Sequence, residues 1–228
     1  MMDHPLDRPV WRMLTGPQAA LATGDGQAVR VDPRYGPFAA ARDHSDEAQA
    51  ALAGLIAAGE QAWLVESDEW PAPAGMRTAR TAGLLQMVAE RPAPVAADDE
   101  AVVLLGADDA DEMAALAIAT EPGPWGALTR CYGNFYGIRR NGRLAAMAGS
   151  RMRPTQEFGE VSGVCTWPEF RGQGLAGVLI RRVMADIVAE GRIPFLHSYA
   201  GNAKAIGLYE TLGFRGRRNM VVTVLERE

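Results

Sequence analysis

Apolar residues recur every four positions at Leu175, Leu179, Val183 and Ile187, which lays one helical face along this stretch, and Gly191 stands where such a helix is commonly stopped. Short apolar strands are expected on either side of it, at Glu160–Trp167 and Ile193–Tyr199. Asn202 then suits a helix cap, the helix running through Leu212 with Gly213 beyond, and Asn219–Leu225 reads as a last strand. Upstream, Asn134–Arg140 and Arg143–Ser150 flank Asn141-Gly142, a pair that tolerates positive φ at both positions and so marks a tight hairpin. Before the hairpin, Ala101–Leu105 predicts a strand, and Asp108 or Asp109 caps a helix through Ala119 that turns Met113, Leu116 and Ala117 inward. Strand, helix, hairpin, strand, helix, strand, helix, strand is the signature of an α/β fold with a mixed sheet.

The first 97 or so residues are more loosely patterned. Candidate strands at Ala28–Val31, Trp63–Val65 and Leu84–Val88 are separated by turns rich in Pro and Gly. Ser45 and Asp46 cap a helix with Leu52, Leu55 and Ile56 on one face and Gly59 after it. Arg91-Pro92-Ala93-Pro94 followed by the acidic Asp98-Asp99-Glu100 is the best linker, because proline blocks strand pairing and the acids prefer water. The expected division is a smaller α/β unit at 1–97 and a main domain at 98–228. No internal repeat is visible.

With 228 residues, 48% hydrophobic and 22% charged, the chain suits an ordinary globular protein and excludes disordered or collagen-like classes. The start lacks a signal peptide's basic end and apolar stretch, and no apolar run approaches a membrane span, so a cytoplasmic protein with no membrane partner is expected. A formal charge of −5 argues against a nucleic-acid partner. Of the 23 basic residues only Lys204 is lysine, an excess of arginine read here as codon bias. Cys131 and Cys165 are too few for a disulfide framework or a zinc site, so no metal is expected and both are read as small buried residues.

Chemistry enters with Arg171-Gly172-Gln173-Gly174-Leu175-Ala176-Gly177, which joins a strand to the amphipathic helix. Glycines let the backbone approach a ligand, and the helix start offers unpaired N–H groups and a partial positive charge, a ready cradle for phosphate with Arg171 and Gln173 as added donors. A Walker loop is excluded because no Gly-Lys-Ser/Thr follows. The spacing Gly172, Gly174, Gly177 fits a dinucleotide fold, but the next strand ends His197-Ser198-Tyr199-Ala200 without the ribose-binding acid. A dinucleotide oxidoreductase therefore becomes a minor alternative.

Arg-Gly-Gln-Gly-Leu-Ala opening a helix, followed by Asn202-x-x-Ala205-x-x-Leu208-Tyr209-Glu210-x-x-Gly213-Phe214, resembles the GNAT superfamily of acyl-CoA-dependent N-acyltransferases. Pro194-Phe195-Leu196-His197 and Glu160–Thr166 are similar to its glycine N-acyltransferase-like branch, the likeness covering Ala101 to the C-terminus. The resemblance implies a GNAT fold in which the strand at Glu160–Trp167 bulges and splays from its neighbour. Backbone near Val164, Cys165 and Thr166 would then pair with the pantetheine arm of acetyl-CoA. The pyrophosphate would rest on the amides from Gly172 to Gly177, including Leu175 and Ala176, supported by Arg171 and Gln173. An N–H near Val164 would stabilise the oxyanion. The front stretch would be a separate unit, or a degenerate half-copy of the same fold.

The resemblance also implies direct transfer of an acetyl group to a primary amine, an amino acid or a peptide N-terminus, by a monomer or homodimer. Tyr209 sits where the family's motif tyrosine protonates the departing thiolate. The base is either Glu160, at the head of the bulged strand, or His197 on the adjacent strand. Asn202 combines capping with a cofactor contact. Glu121 would attract the amine, and Trp125 and Tyr136 would line its pocket. A non-catalytic acyl-CoA-binding module is the main alternative.

Overall fold

The structure, a computed structural model of the chain, describes residues 4–95 and 102–227. The front stretch forms α1 (Pro9–Leu14), β1 (Ala22–Gly24), β2 (Ala28–Val31), β3 (Ala39–Ala41), α2 (Asp46–Gly54), β4 (Gln61–Glu66) and β5 (Met76–Val88). The remainder forms β6 (Val103–Leu104), α3 (Ala110–Thr120), β7 (Phe135–Arg140), β8 (Arg143–Ser150), β9 (Phe158–Thr166), α4 (Leu175–Ala189), β10 (Ile193–Tyr199), α5 (Ala203–Thr211) and β11 (Arg215–Arg227). Ser45 caps α2 by accepting from the Ala48 N–H at 3.3 Å, and Asn202 caps α5 by accepting from Ala205 at 3.2 Å. Asn141 and Gly142 take φ of 51° and 78°, as the two-residue hairpin turn requires.

Eight strands make one mixed sheet in the order β4-β11-β5-β10-β9-β8-β7-β6, with β9 and β10 its parallel pair, and β1-β2-β3 make a small antiparallel sheet. The expected boundary at residue 97 falls outside the described residues, but the sheet runs across it. β5 lies between β10 and β11, pairing with Phe195–Tyr199 on one side and Arg215–Arg227 on the other. A backbone bridge between Phe38 and Trp63 joins the small sheet to β4, and the combined surface curls. Val29, Val31, Phe38 and Ala40 thus share one apolar core with Val65, Leu84, Met220 and Val222 of the main sheet and with Leu6, Val10, Met13 and Leu14 around α1.

On the opposite face, α4 and α5 pack over Ile138, Ala146, Val161, Leu196 and Phe214. Beside the curl, α3 covers β7–β9 through Met113, Leu116 and Ala117 against Phe135, Met147 and Cys165. The loop after α3 is stitched to the front stretch, since Leu128 N–H donates to the Arg34 carbonyl at 2.7 Å and Thr129 Oγ1 to that of Tyr35 at 2.8 Å. Arginines add further joins. Arg8 pairs with Glu66 at 3.0 Å, and Arg217 and Arg218 both reach Asp7, holding its carboxyl well below the usual range although burial acts the other way. The arginine excess therefore has a structural use that composition alone did not indicate. Among the described residues, no helix is long and apolar enough to cross a membrane.

Candidate active site

The parallel pairing of β9 with β10 covers only Phe158–Glu160 against Ile193–Phe195; beyond Glu160 the two strands part. On its other side β9 carries a bulge, because Met147 faces Cys165 while Gly149 faces Ser162, leaving one extra residue on β9. Gly163 sits in that bulge at φ 61°, and a Cβ there would approach the Phe135 ring to 2.7 Å, so glycine is required by both conformation and space. The split leaves the Val164–Thr166 backbone without a strand partner on the β10 side.

A cavity of about 600 Å³ occupies this split. Val164, Cys165, Thr166, Arg171, Gly172, Gly174, Leu175, Ala176, Gly177, Asn202, His197 and Tyr209 all line it, so most residues chosen from the sequence converge on one place. Gln173 and Glu160 do not line it. Gly172 and Gly174 both adopt φ 79° with open space where a side chain would project, which turns the loop so that the head of α4 faces the cavity. At that head the Gly177 N–H already turns back to the Gly174 carbonyl at 3.0 Å, whereas the Leu175 and Ala176 amides precede the first intrahelical acceptor and carry the positive end of the helix dipole. Arg171 is tethered by a 3.2 Å hydrogen bond from its Nε to the Thr166 carbonyl.

Tyr209 is packed edge-on against Phe214 with centroids 6.1 Å apart, and burial, with a smaller contribution from Cys165, pushes its hydroxyl up to about 12. The ring is thus half-buried against the core under α4 and α5, and the residue borders the cavity. Cys165 is buried and its thiol is pushed up to about 12 by burial, so it stays protonated and is no nucleophile at neutral pH. Cys131, expected to be buried, is exposed, because it ends a one-turn surface helix at Thr129–Cys131.

Glu160 and His197, the two candidate bases, meet each other. His197 Nδ1 lies 2.9 Å from Glu160 Oε1, and the same carboxylate accepts from Arg151 Nε at 2.9 Å, Arg151 Nη2 at 3.2 Å and the Met152 N–H at 3.3 Å. Burial raises the Glu160 pKa, but the Arg151 charge and the His197 hydrogen bond outweigh it and bring it down to about 2. On the far side, Gln86 Nε2 lies 2.9 Å from His197 Nε2. The Gln86 amide is oriented by two other partners, since its Oε1 accepts from Arg217 Nε at 2.5 Å and its Nε2 donates to the Leu6 carbonyl at 2.9 Å. Its second amide hydrogen therefore points to His197 Nε2, which must be the acceptor, and the ring hydrogen sits on Nδ1 facing Glu160.

Trp125 and Tyr136 do not line the cavity: Trp125 stacks on Phe135 at 5.4 Å, and the Tyr136 hydroxyl bonds to Asp186 and Arg182 under α4. Glu121 does line it, at the left-handed end of α3 with φ 47°. A further part of the wall had no signal in the sequence: Phe38, Trp63, Val65, Leu84, Arg151, Met152, Tyr199 and Val222. These residues sit on strands and a turn far apart in the chain, and only the curl of the sheet gathers them.

No curated protein sequence matches the chain. The FR47-like protein family matches residues 135–222. Among solved structures, a protein from Novosphingobium aromaticivorans described as a GNAT-family acetyltransferase is 55% identical over 99% of this chain and 100% of its own, with a TM-score of 0.92. A GCN5-related N-acetyltransferase from Kribbella flavida shares the fold at 18% identity, covering 95% and 92% of the two chains with a TM-score of 0.63. A tandem GNAT protein from the clavulanic acid biosynthesis pathway shares it at 14% identity over 88% and 77%, with a TM-score of 0.53. The full-length identity to the Novosphingobium protein, added to a split sheet with a glycine-turned helix head beside it, places this chain in the GNAT family of acetyltransferases.

Proposed function

We propose that the chain is an N-acetyltransferase that takes the acetyl group from acetyl-CoA and passes it to a primary amine by direct attack within a ternary complex. The observation that carries this reading is that Gly172 and Gly174, both left-handed, turn the head of α4 onto the same cavity that Tyr209 and the freed backbone of β9 border. The amides from Gly172 to Ala176 and the side chains of Arg171 and Asn202 would hold the diphosphate end, Gln173 shaping the turn from off the cavity wall. The Val164–Thr166 backbone would pair with the pantetheine arm, and an N–H near Val164 would receive the oxyanion.

In the reaction the amine nitrogen bonds to the thioester carbon, the carbon–sulfur bond breaks, and coenzyme A leaves with the proton that Tyr209 supplies. A hydroxyl raised to about 12 remains protonated until a thiolate forms beside it. The amine's own proton passes to His197, the member of the Glu160–His197 pair that reaches the cavity. Glu160 keeps the ring hydrogen on Nδ1, so that Nε2 is the basic nitrogen, and the Gln86 amide must yield that nitrogen to the amine. Likeness to the glycine N-acyltransferase-like branch rests on Glu160–Thr166 and Pro194–His197. The stretch 1–97 is read as a unit that completes this site.

Calorimetric titration with acetyl-CoA, followed by thiol release against a panel of primary amines, amino acids and short peptides, tests the proposal. Binding together with amine-dependent thiol release is expected. Failure to bind acetyl-CoA overturns it, and binding without release on any acceptor leaves a non-catalytic binding module.

A further inference from the structure

The cavity has two ends of different chemistry. At one end lie the loop before α4 and the head of α5, with Arg171 and Lys204 on the wall. At the other, on the face covered by α1 and α3, the floor is Phe38, Trp63, Val65, Leu84, Met152 and Val222. Four of these six, Phe38, Trp63, Val65 and Leu84, come from the stretch before residue 97.

We infer that this second end is the acceptor site, and that it takes a primary amine carrying one uncharged apolar group, aromatic or branched aliphatic. The inference rests on the transferase reading and names the substrate class for the same site. Its warrant is the way charge is distributed along the wall. Arg151 lines the cavity, but two of its guanidinium nitrogens are committed to Glu160 and the group lies over the Phe38 ring at 4.8 Å, so it brings no uncompensated charge. His197 is held between Glu160 and Gln86. Glu121 is the one carboxylate among the residues lining the cavity, and it stands at the end of α3 rather than on the floor, where it suits the ammonium of an arriving amine. A second ammonium or a carboxylate carried into the floor would lose its water among Phe38, Val65, Leu84, Met152 and Val222, which offer it no partner, the Arg80 guanidinium standing out at the rim over Trp63.

The wall is also braced. Arg80 covers the Trp63 ring at 5.0 Å and its Nη2 reaches the Tyr199 hydroxyl at 3.4 Å, which ties the rim residues of β4 and β10 together. A fixed, apolar, partly open surface of this kind selects a ligand by fit and by area removed from water.

The test is steady-state transfer at saturating acetyl-CoA to 2-phenylethylamine and 3-methylbutylamine, compared with ethanolamine and putrescine, using the intact protein and the variants Trp63→Ala and Val222→Thr. The apolar amines are expected to show KM values at least about tenfold lower, as burial of one apolar group predicts. Each variant should raise the KM for 2-phenylethylamine several-fold while that for acetyl-CoA stays within about twofold. Equal or lower KM for ethanolamine or putrescine overturns the inference. So does a variant that raises both KM values alike, or the absence of transfer to any of the four amines by protein that binds acetyl-CoA. If acetyl-CoA does not bind, the transferase reading fails, and the pocket is decided by calorimetry with 2-phenylethylamine alone. Binding that Trp63→Ala abolishes then supports the apolar site, and no binding overturns it.

Discussion

Glu160 shows how one residue type at one position carries either of two roles until its neighbours are known. A carboxylate at the head of a bulged strand suits a base; enclosed by Arg151, His197 and the Met152 amide, it becomes the anchor of a buried charge network. Its folded pKa, near 2, lies below the ordinary value of 4.5. The stability it contributes is therefore complete above about pH 4.5 and is lost as pH falls toward 2, a loss of roughly 3 kcal/mol. Urea titrations between pH 6 and pH 2.5 should show this loss, and Glu160→Gln should flatten it. The same variant leaves Arg151 buried without a counter-charge and should cost about 3–5 kcal/mol at neutral pH. For proton transfer, His197→Ala should lower kcat with acetyl-CoA affinity kept, whereas unchanged turnover would transfer the role elsewhere. Tyr209→Phe should lower kcat by roughly 10²- to 10⁴-fold with acetyl-CoA affinity kept. Tyr209, Asn202 and the loop glycines were legible because each has a local reason to be where it is: a cap, a left-handed turn, a helical face. The pairing of Glu160 with His197 was not, since nothing local relates residues on adjacent strands whose register is set elsewhere.

Among the elements, α4 was the most readable, and its head faces the cavity. Its apolar spacing buries Leu175, Leu179, Val183 and Ile187 against the sheet, and its head is turned by Gly174 at φ 79°. Gly174→Val should cost about 1–2 kcal/mol in the left-handed region and weaken acetyl-CoA binding, which paired thermal and calorimetric measurements would report. The left-handed glycine turn before it was visible because glycine spacing and a helix start are both local. The long strands β5 and β11 were seen only in part. Leu84–Val88 and Asn219–Leu225 were expected, yet each strand spans 13 residues. Arg77–Ala82 are largely exposed and polar, so no apolar alternation announces them; they are strands because β11 supplies a partner ladder from more than a hundred residues away. The tightness of the joint between the α3 loop and the front stretch was equally invisible. A Cβ at Gly126 would run into the Arg34 carbonyl, a close approach that only the assembled structure brings about.

Taken whole, the chain is built around a sheet that ignores the Pro-rich break near residue 92. β5 is inserted between β10 and β11, so removal of residues 1–97 would leave β10 with β9 alone, strip β11 of both its partners and uncover core residues such as Phe195 and Met220. A 98–228 fragment is expected to aggregate or remain unfolded, with lost near-ultraviolet circular dichroism and a broadened elution profile; a monomeric, acetyl-CoA-binding fragment would show instead that the sheet closes without β5. Local sequence was enough for the mixed α/β class, the hairpin at Asn141-Gly142, the capped helices and the glycine-turned loop, because each depends on residues within a few positions of one another. The long-range pairing of β5, the curl that carries Phe38 and Trp63 to the cavity, and the burial that turns Glu160 from a candidate base into the partner of Arg151 were decided in three dimensions. They depend on which strands become neighbours, and that is settled by the burial of apolar surface over the whole chain rather than by any segment within it.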